Sequence, residues 1–307
     1  MRYSPDNKAR KTSATLAHTI VTKAAEKVNG VTPITGMAIL DNNLFVVKKD
    51  YPVVEVYDSE TFVYLRLLDK LDLTNPLDIA SSKENKLLYV IDRGNGESES
   101  IIRKFNTDGN RGKKWPTEND NCRLSTYGAN LIVCFSTKRI IIEYTPGGEK
   151  VNTVRLSPGN GFNNLWHAVK LTGTHLVVSH SKVEDVSLQR VCVVDINGNV
   201  LATFEKFPAL VVSILRRDYL PICLVGIRDE SVLVADSKHR RVLLLSPKEL
   251  EYEAELIKSD STQIPVRLCL NEAKNRLFVG VVFVDSGTFF TSETEKECRI
   301  LIYNLTK

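Results

Sequence analysis

Two sets of residues with chemical potential recur along the chain at near-regular intervals. The first is Gly36, Asp78, Arg123, His167, Cys223 and Arg267, separated by 42, 45, 44, 56 and 44 residues. Each lies near the start of a short apolar stretch. The second is Lys48, Asp92, Phe135, His180, Asp236 and Val281, at the ends of stronger apolar runs. If equal spacing carries equivalent residues to one axis, the first set brings together an acid, an imidazole, a thiol and two guanidiniums. Convergent polar groups of this kind mark a candidate site. Asp78, His167, His180 and Asp236 are then the candidate acids and bases of an enzyme. Arg123 or Arg267 would bind an anion.

Each candidate also has a structural reading. Asp92 and Asp236 follow strand-like runs and suit turn caps that accept backbone N–H bonds. Asp78 could neutralise Arg123 and Arg267 as a channel ion pair. His167 follows Trp166, and the pair could simply pack between repeats. Cys223 with His167 suggests a thiolate pair, but one repeat of separation should keep them beyond direct hydrogen bonding, so an inert buried thiol is expected. Two histidines with Asp residues suit zinc, yet no H-x-x-x-H or HExxH spacing exists, so no metal and no cofactor is expected. The chain has no G-x-S-x-G elbow, no Walker A loop and no G-x-G-x-x-G.

The positioning elements form a degenerate repeat. Each copy has an apolar stretch, a polar turn, a strong apolar strand, a connector, a third strand, and a more polar fourth. Copies begin near residues 34, 76, 121, 165, 221 and 265. Units of about 40 to 50 residues with four strands fit propeller blades. The fold class is therefore all-β, a six-bladed β-propeller of four-stranded antiparallel blades. The long fourth interval places a loop near 207–219. The sixth copy ends at Lys307 without a fourth strand, while 13–22 is an orphan β-like segment. An N-terminal strand in blade six would close the ring and cover an open edge. The rival is a helix over 14–27, favoured locally by 24–27. Residues 1–11 read as a flexible tail and 12–307 as one domain.

The composition agrees. The 307 residues are 43% apolar and 25% charged, enough for a large core. Forty-one basic against 37 acidic residues give a net charge of +4, too small to be a nucleic-acid signature. No apolar run approaches membrane-helix length. The N-terminus lacks a secretory h-region, which points to a cytoplasmic protein. Six cysteines without any C-x-x-C, mostly in apolar runs, read as buried and reduced.

Residues 232–246, Val-Leu-Val-Ala-Asp-Ser-Lys-His-Arg-Arg-Val-Leu-Leu-Leu-Ser, resemble the NHL-repeat core, and 86–93 resemble a weaker copy. As a pattern the resemblance spans 34–307, and WD dipeptides are absent. The whole is similar to the six-bladed propeller that ends tripartite-motif (TRIM) proteins, without their RING, B-box or coiled coil. That resemblance implies a non-catalytic interaction scaffold, monomeric and away from membranes, binding a protein partner through rim loops. It also implies single-stranded RNA as a second partner class, with Lys48, Lys138, Arg139, Lys238 and Arg240 as basic rim contacts. Acids on the same rim offset much of that charge. The alternative is a hydrolase-, lactonase- or lyase-like propeller enzyme with its site at the channel mouth, lined by Asp78, Arg123, His167, Cys223 and Arg267. Calcium-dependent lactonases hold their metal with a Glu–Asn–Asn–Asp set, and neither ring contains Glu or Asn.

Overall fold

Short runs of Val, Ile and Leu bounded by polar turns form strands, 24 of them among the described residues. The computed structural model describes residues 12–22, 33–94, 100–118, 120–182, 189–205, 223–227, 229–246, 250–259, 262–283 and 298–306. They build six four-stranded antiparallel sheets, and in blades one to five the strands follow chain order outward from the axis.

Blade one is β2 (Ile34–Leu40), β3 (Asn43–Lys48), β4 (Tyr51–Asp58) and β5 (Tyr64–Leu68). Blade two is β6 (Pro76–Ser82), β7 (Leu87–Arg93), β8 (Ser100–Phe105) and β9 (Arg111–Thr117). Blade three is β10 (Cys122–Tyr127), β11 (Asn130–Phe135), β12 (Ile140–Tyr144) and β13 (Lys150–Arg155). Blade four is β14 (Phe162–Lys170), β15 (His175–Lys182), β16 (Gln189–Asp195) and β17 (Val200–Phe204). Blade five is β18 (Cys223–Gly226), β19 (Val232–Asp236), β20 (Arg241–Leu245) and β21 (Tyr252–Lys258). Blade six is β22 (Gln263–Asn271), β23 (Arg276–Phe283) and β24 (Cys298–Thr306).

The fourth strand of blade six is β1 (Ser13–Val21), as the orphan segment required. It runs antiparallel to β24, from Ser13 opposite Thr306 to Val21 opposite Arg299. Over its described part, 14–22, the rival helix is not formed, because pairing with the open edge of β24 satisfies that edge's backbone groups; residues 24–27 lie outside the described residues. The long fourth-repeat loop, 207–219, and the tail, 1–11, lie outside the described residues.

The core is a set of six apolar layers between neighbouring blades. Between blades one and two, for example, Val54, Val56, Leu88 and Phe105 are buried together. Ile20 of β1 joins Phe278, Ile300 and Tyr57 where the ring closes. Full burial of each such side chain contributes about 1.5–3 kcal/mol. These layers hold the blades rigid and so fix what faces the axis.

Candidate active site

The first strands carry a shared irregularity. The pairing register shifts just before Gly36, Asp78, His167 and Arg267, leaving Thr35, Leu77, Trp166 and Val266 unmatched. Such bulges bend a strand and re-aim the next side chain. Guanidiniums take the carbonyls at three of them. Arg123 Nη1 donates to Leu77 O at 3.0 Å and to Cys122 O at 3.1 Å. Arg267 Nη1 donates to Val266 O at 2.7 Å, and its Nε donates to Thr35 O across the ring closure.

Other ring side chains reach across blade boundaries to the backbone of the next first strand. Asp78 Oδ2 accepts Leu124 N–H at 2.9 Å, and Oδ1 accepts Ile79 N–H at 2.9 Å. His167 Nδ1 accepts Leu224 N–H at 2.9 Å, while Nε2 donates to Leu124 O at 3.1 Å. Cys223 Sγ accepts Leu268 N–H at 3.4 Å. These N–H groups lie on the axial edge of the sheets, with no inner strand to pair with, and the ring side chains satisfy them.

The ring lines an axial cavity of about 550 Å³, with Trp166 as its aromatic wall. It extends to the turns joining first and second strands, where Lys83, Glu84, Tyr127, Lys170 and Glu272 line it. Lys170 is paired there with Glu143 at 2.7 Å and lies over the Tyr127 ring. Asp78 forms no ion pair with Arg123 or Arg267 among the described residues, so of its two readings the channel pair is not the one made there. Both carboxylate oxygens are already held by backbone N–H groups. Arg123 Nε and Nη2, and Arg267 Nη2, carry no hydrogen bond among the described residues. Burial, then the like charge of Arg267, lowers Arg123 to about 10, which still leaves it charged at neutral pH. The ring is thus a cationic site with unused donors.

Cys223 is buried, as expected, and differs from the other thiols in its surroundings. No hydrogen bond joins its thiol to the His167 imidazole among the described residues, because the two ring nitrogens are taken by Leu224 N–H and Leu124 O. Its sulfur instead accepts the Leu268 N–H of the next blade at 3.4 Å. Burial alone would raise this thiol, but His167, the charge of Arg267 and the Leu268 N–H together bring it below its ordinary value. The other five thiols are pushed up, chiefly by burial, Cys269 to about 12 and Cys298 to about 11.

The second set does not join this site, which corrects His180 and Asp236 as candidate acids and bases. Strand two is one strand removed from the axis, and its alternate side chains point to the blade faces. His180 is fully buried in blade four, its Nε2 3.3 Å from Cys192 Sγ and its Nδ1 2.8 Å from Ser181 O. Asp236 holds His239 at 2.7 Å and Arg241 at 2.8 Å. Asp92 accepts the N–H groups of Thr74 and Asn75. No group of three or more His, Cys, Asp or Glu among the described residues could hold a metal. The basic rim set is also corrected in part. Lys48 is buried against Glu55 at 2.7 Å, whereas Lys138 stays exposed in a surface pair with Glu118 at 2.6 Å. Arg139, Lys238 and Arg240 lie half-buried in the turns between second and third strands.

The bulges, the axial N–H groups and the unused guanidinium donors were not foreseen from sequence. The only trace of the bulges is the Pro two residues before Asp78 and Arg267.

No family model matches the chain, and no curated protein matches its sequence. The NHL resemblance therefore rests on its motif alone. Solved structures do match. The PQQ-bound aldose sugar dehydrogenase of Streptomyces coelicolor superposes with a TM-score of 0.63 at 14% identity, covering 96% of this chain and 99% of that one. A protein of unknown function from Bacteroides caccae gives 0.55 at 11% identity, over 77% and 81%. Kuenenia stuttgartiensis hydrazine synthase gives 0.55 at 11% identity, over 87% and 99%. This chain is a six-bladed β-propeller, and at these identities the likeness establishes that fold. The matches also correct the expected non-catalytic scaffold, because two of the three are enzymes. No helix among the described residues is long and apolar enough to cross a membrane.

Proposed function

We propose that the chain is a propeller enzyme acting on a small organic anion in the axial pocket. One observation carries this reading: Arg123 and Arg267, both next to the axis, line a 550 Å³ cavity with guanidinium donors that no carboxylate among the described residues takes up. A guanidinium in a low-dielectric pocket binds carboxylate or phosphate strongly and with defined orientation. The hydrolase-, lactonase- and lyase-like reactions of such propellers all develop negative charge on oxygen, and the same cations would stabilise it. Asp78 and His167 contribute by fixing the first strands, since their polar atoms are held by backbone groups. The described residues offer no metal-ligand cluster, so no step is routed through a metal. The NHL-like stretch at 232–246 is read as shared repeat construction, because its Asp236 is engaged by His239 and Arg241.

The test is ligand-dependent melting. Citrate, and PQQ as a second polycarboxylate, should raise the melting temperature of the wild-type protein above that in chloride of equal ionic strength. Arg123→Met and Arg267→Met should each lose the shift while remaining folded by circular dichroism. Equal shifts in wild type and both variants would end this reading.

A further inference from the structure

We propose that Cys223 is the nucleophile of the axial pocket and that its substrates are carboxylate-bearing acyl esters, lactones included. This rests on the anion-binding reading above and adds the reacting atom and the substrate class.

Three features of position set Cys223 apart from the other five cysteines. It lies on the pocket wall, where only Cys269 accompanies it among the thiols. Its sulfur accepts the Leu268 N–H, so a preformed donor favours the anionic sulfur. Arg267 directly precedes Leu268 in β22 and is 5% exposed, and its charge favours the anionic form of the thiol. Cys269 is two residues further along the same strand and is raised to about 12 by burial. The two pocket thiols therefore provide an internal comparison.

The chemistry is balanced without an oxidant. The thiol releases its proton to water in the channel. Sulfur donates an electron pair to the acyl carbon, the C–S bond forms and the C–O bond breaks. The leaving alkoxide takes a proton from water. A second water hydrolyses the thioester, releasing the acid and restoring the thiol, so one water is consumed overall. The substrate's own carboxylate sits on Arg123 and Arg267, which places the acyl carbon beside Cys223. The Leu224 N–H on Nδ1 holds the His167 ring with its proton on Nε2. His167 is accordingly a positioning residue.

Alkylation kinetics test this on the intact protein. Iodoacetate and iodoacetamide are compared by peptide mass spectrometry, with rates normalised to glutathione. Cys223 should react at least about tenfold faster than Cys269. It should also favour the anionic reagent by about tenfold, a bias lost in Arg267→Met and suppressed by citrate. With mono-4-nitrophenyl succinate, the wild type should release nitrophenolate in a stoichiometric burst that Cys223→Ser abolishes. Equal labelling of Cys223 and Cys269, no charge preference, or no burst would overturn the proposal. If citrate still raises the melting temperature in that case, only the role of the thiol falls. If citrate neither stabilises nor protects, the anion site falls with it.

Discussion

A β-carbon on Gly36 would lie 2.5 Å from Oδ1 of Asp78 and 2.6 Å from the Ile79 nitrogen. Gly36 is the one ring position without a side chain, and the Asp78 carboxylate fills its place. Because Gly36 offers no acceptor to the neighbouring blade, Oδ1 of Asp78 takes the Ile79 N–H itself. Gly36→Ala should therefore force Asp78 aside, at a cost of about 2 kcal/mol from overpacking. Gly173→Ala is the control, since nothing lies within 4 Å of that position. Urea unfolding midpoints should fall for the first and stay nearly unchanged for the second.

The buried pair Lys48–Glu55, with exposures of 2% and 0%, should behave asymmetrically. Tyr57 also donates to Glu55 at 2.8 Å. Lys48→Met leaves a buried carboxylate without its cation and should cost about 3–5 kcal/mol. The double variant Lys48→Met/Glu55→Gln removes both charges and should recover part of that loss. A double-mutant cycle by denaturant titration measures the difference.

His180 gives a pH signature. Burial lowers it from an ordinary 6.5 to about 4. Between those values the unfolded chain binds a proton that the native state does not. Stability should therefore fall as pH drops from 6.5 towards 4, by up to about 3 kcal/mol. His180→Gln should flatten that part of the stability–pH profile. An unchanged slope would show that other groups cause the acid loss.

Ring closure should depend on the ladder more than on apolar area. In β1, Ile20 is 5% exposed, whereas Leu16 is 53% exposed. Ile20→Ala should cost about 3 kcal/mol. Leu16→Ala should stay within about 0.5 kcal/mol. Removing residues 1–22 would bare the whole edge of β24, and light scattering should then report association through that edge.

Much of the architecture was legible before any coordinates. Spacings near 44 residues between Asp78, Arg123 and His167, with four apolar or mixed runs in each repeat, define blades. A sixth repeat lacking its last strand, beside an orphan segment at 13–22, defines the latch. These are properties of periodicity, which a linear pattern carries directly. The β14 strand begins at Phe162 and the β22 strand at Gln263, three and two residues ahead of the apolar stretches that marked those blades.

The functional reading required three dimensions. From sequence, Asp78 and Arg123 look like an ion pair, Lys48 looks like a rim contact, and His180 looks like a companion of His167. Each assignment failed because residue type says nothing of which neighbour fills its hydrogen bonds. Tertiary structure gave Asp78 to two backbone N–H groups, Lys48 to Glu55 and His180 to the interior of blade four. It left donors of Arg123 and Arg267 facing the cavity and set the Cys223 sulfur under the Leu268 N–H. Periodic burial is written in the order of side chains along the chain. Partner choice at the axis arises only when six strands from distant segments converge, and small register shifts at the bulges then decide which atoms meet.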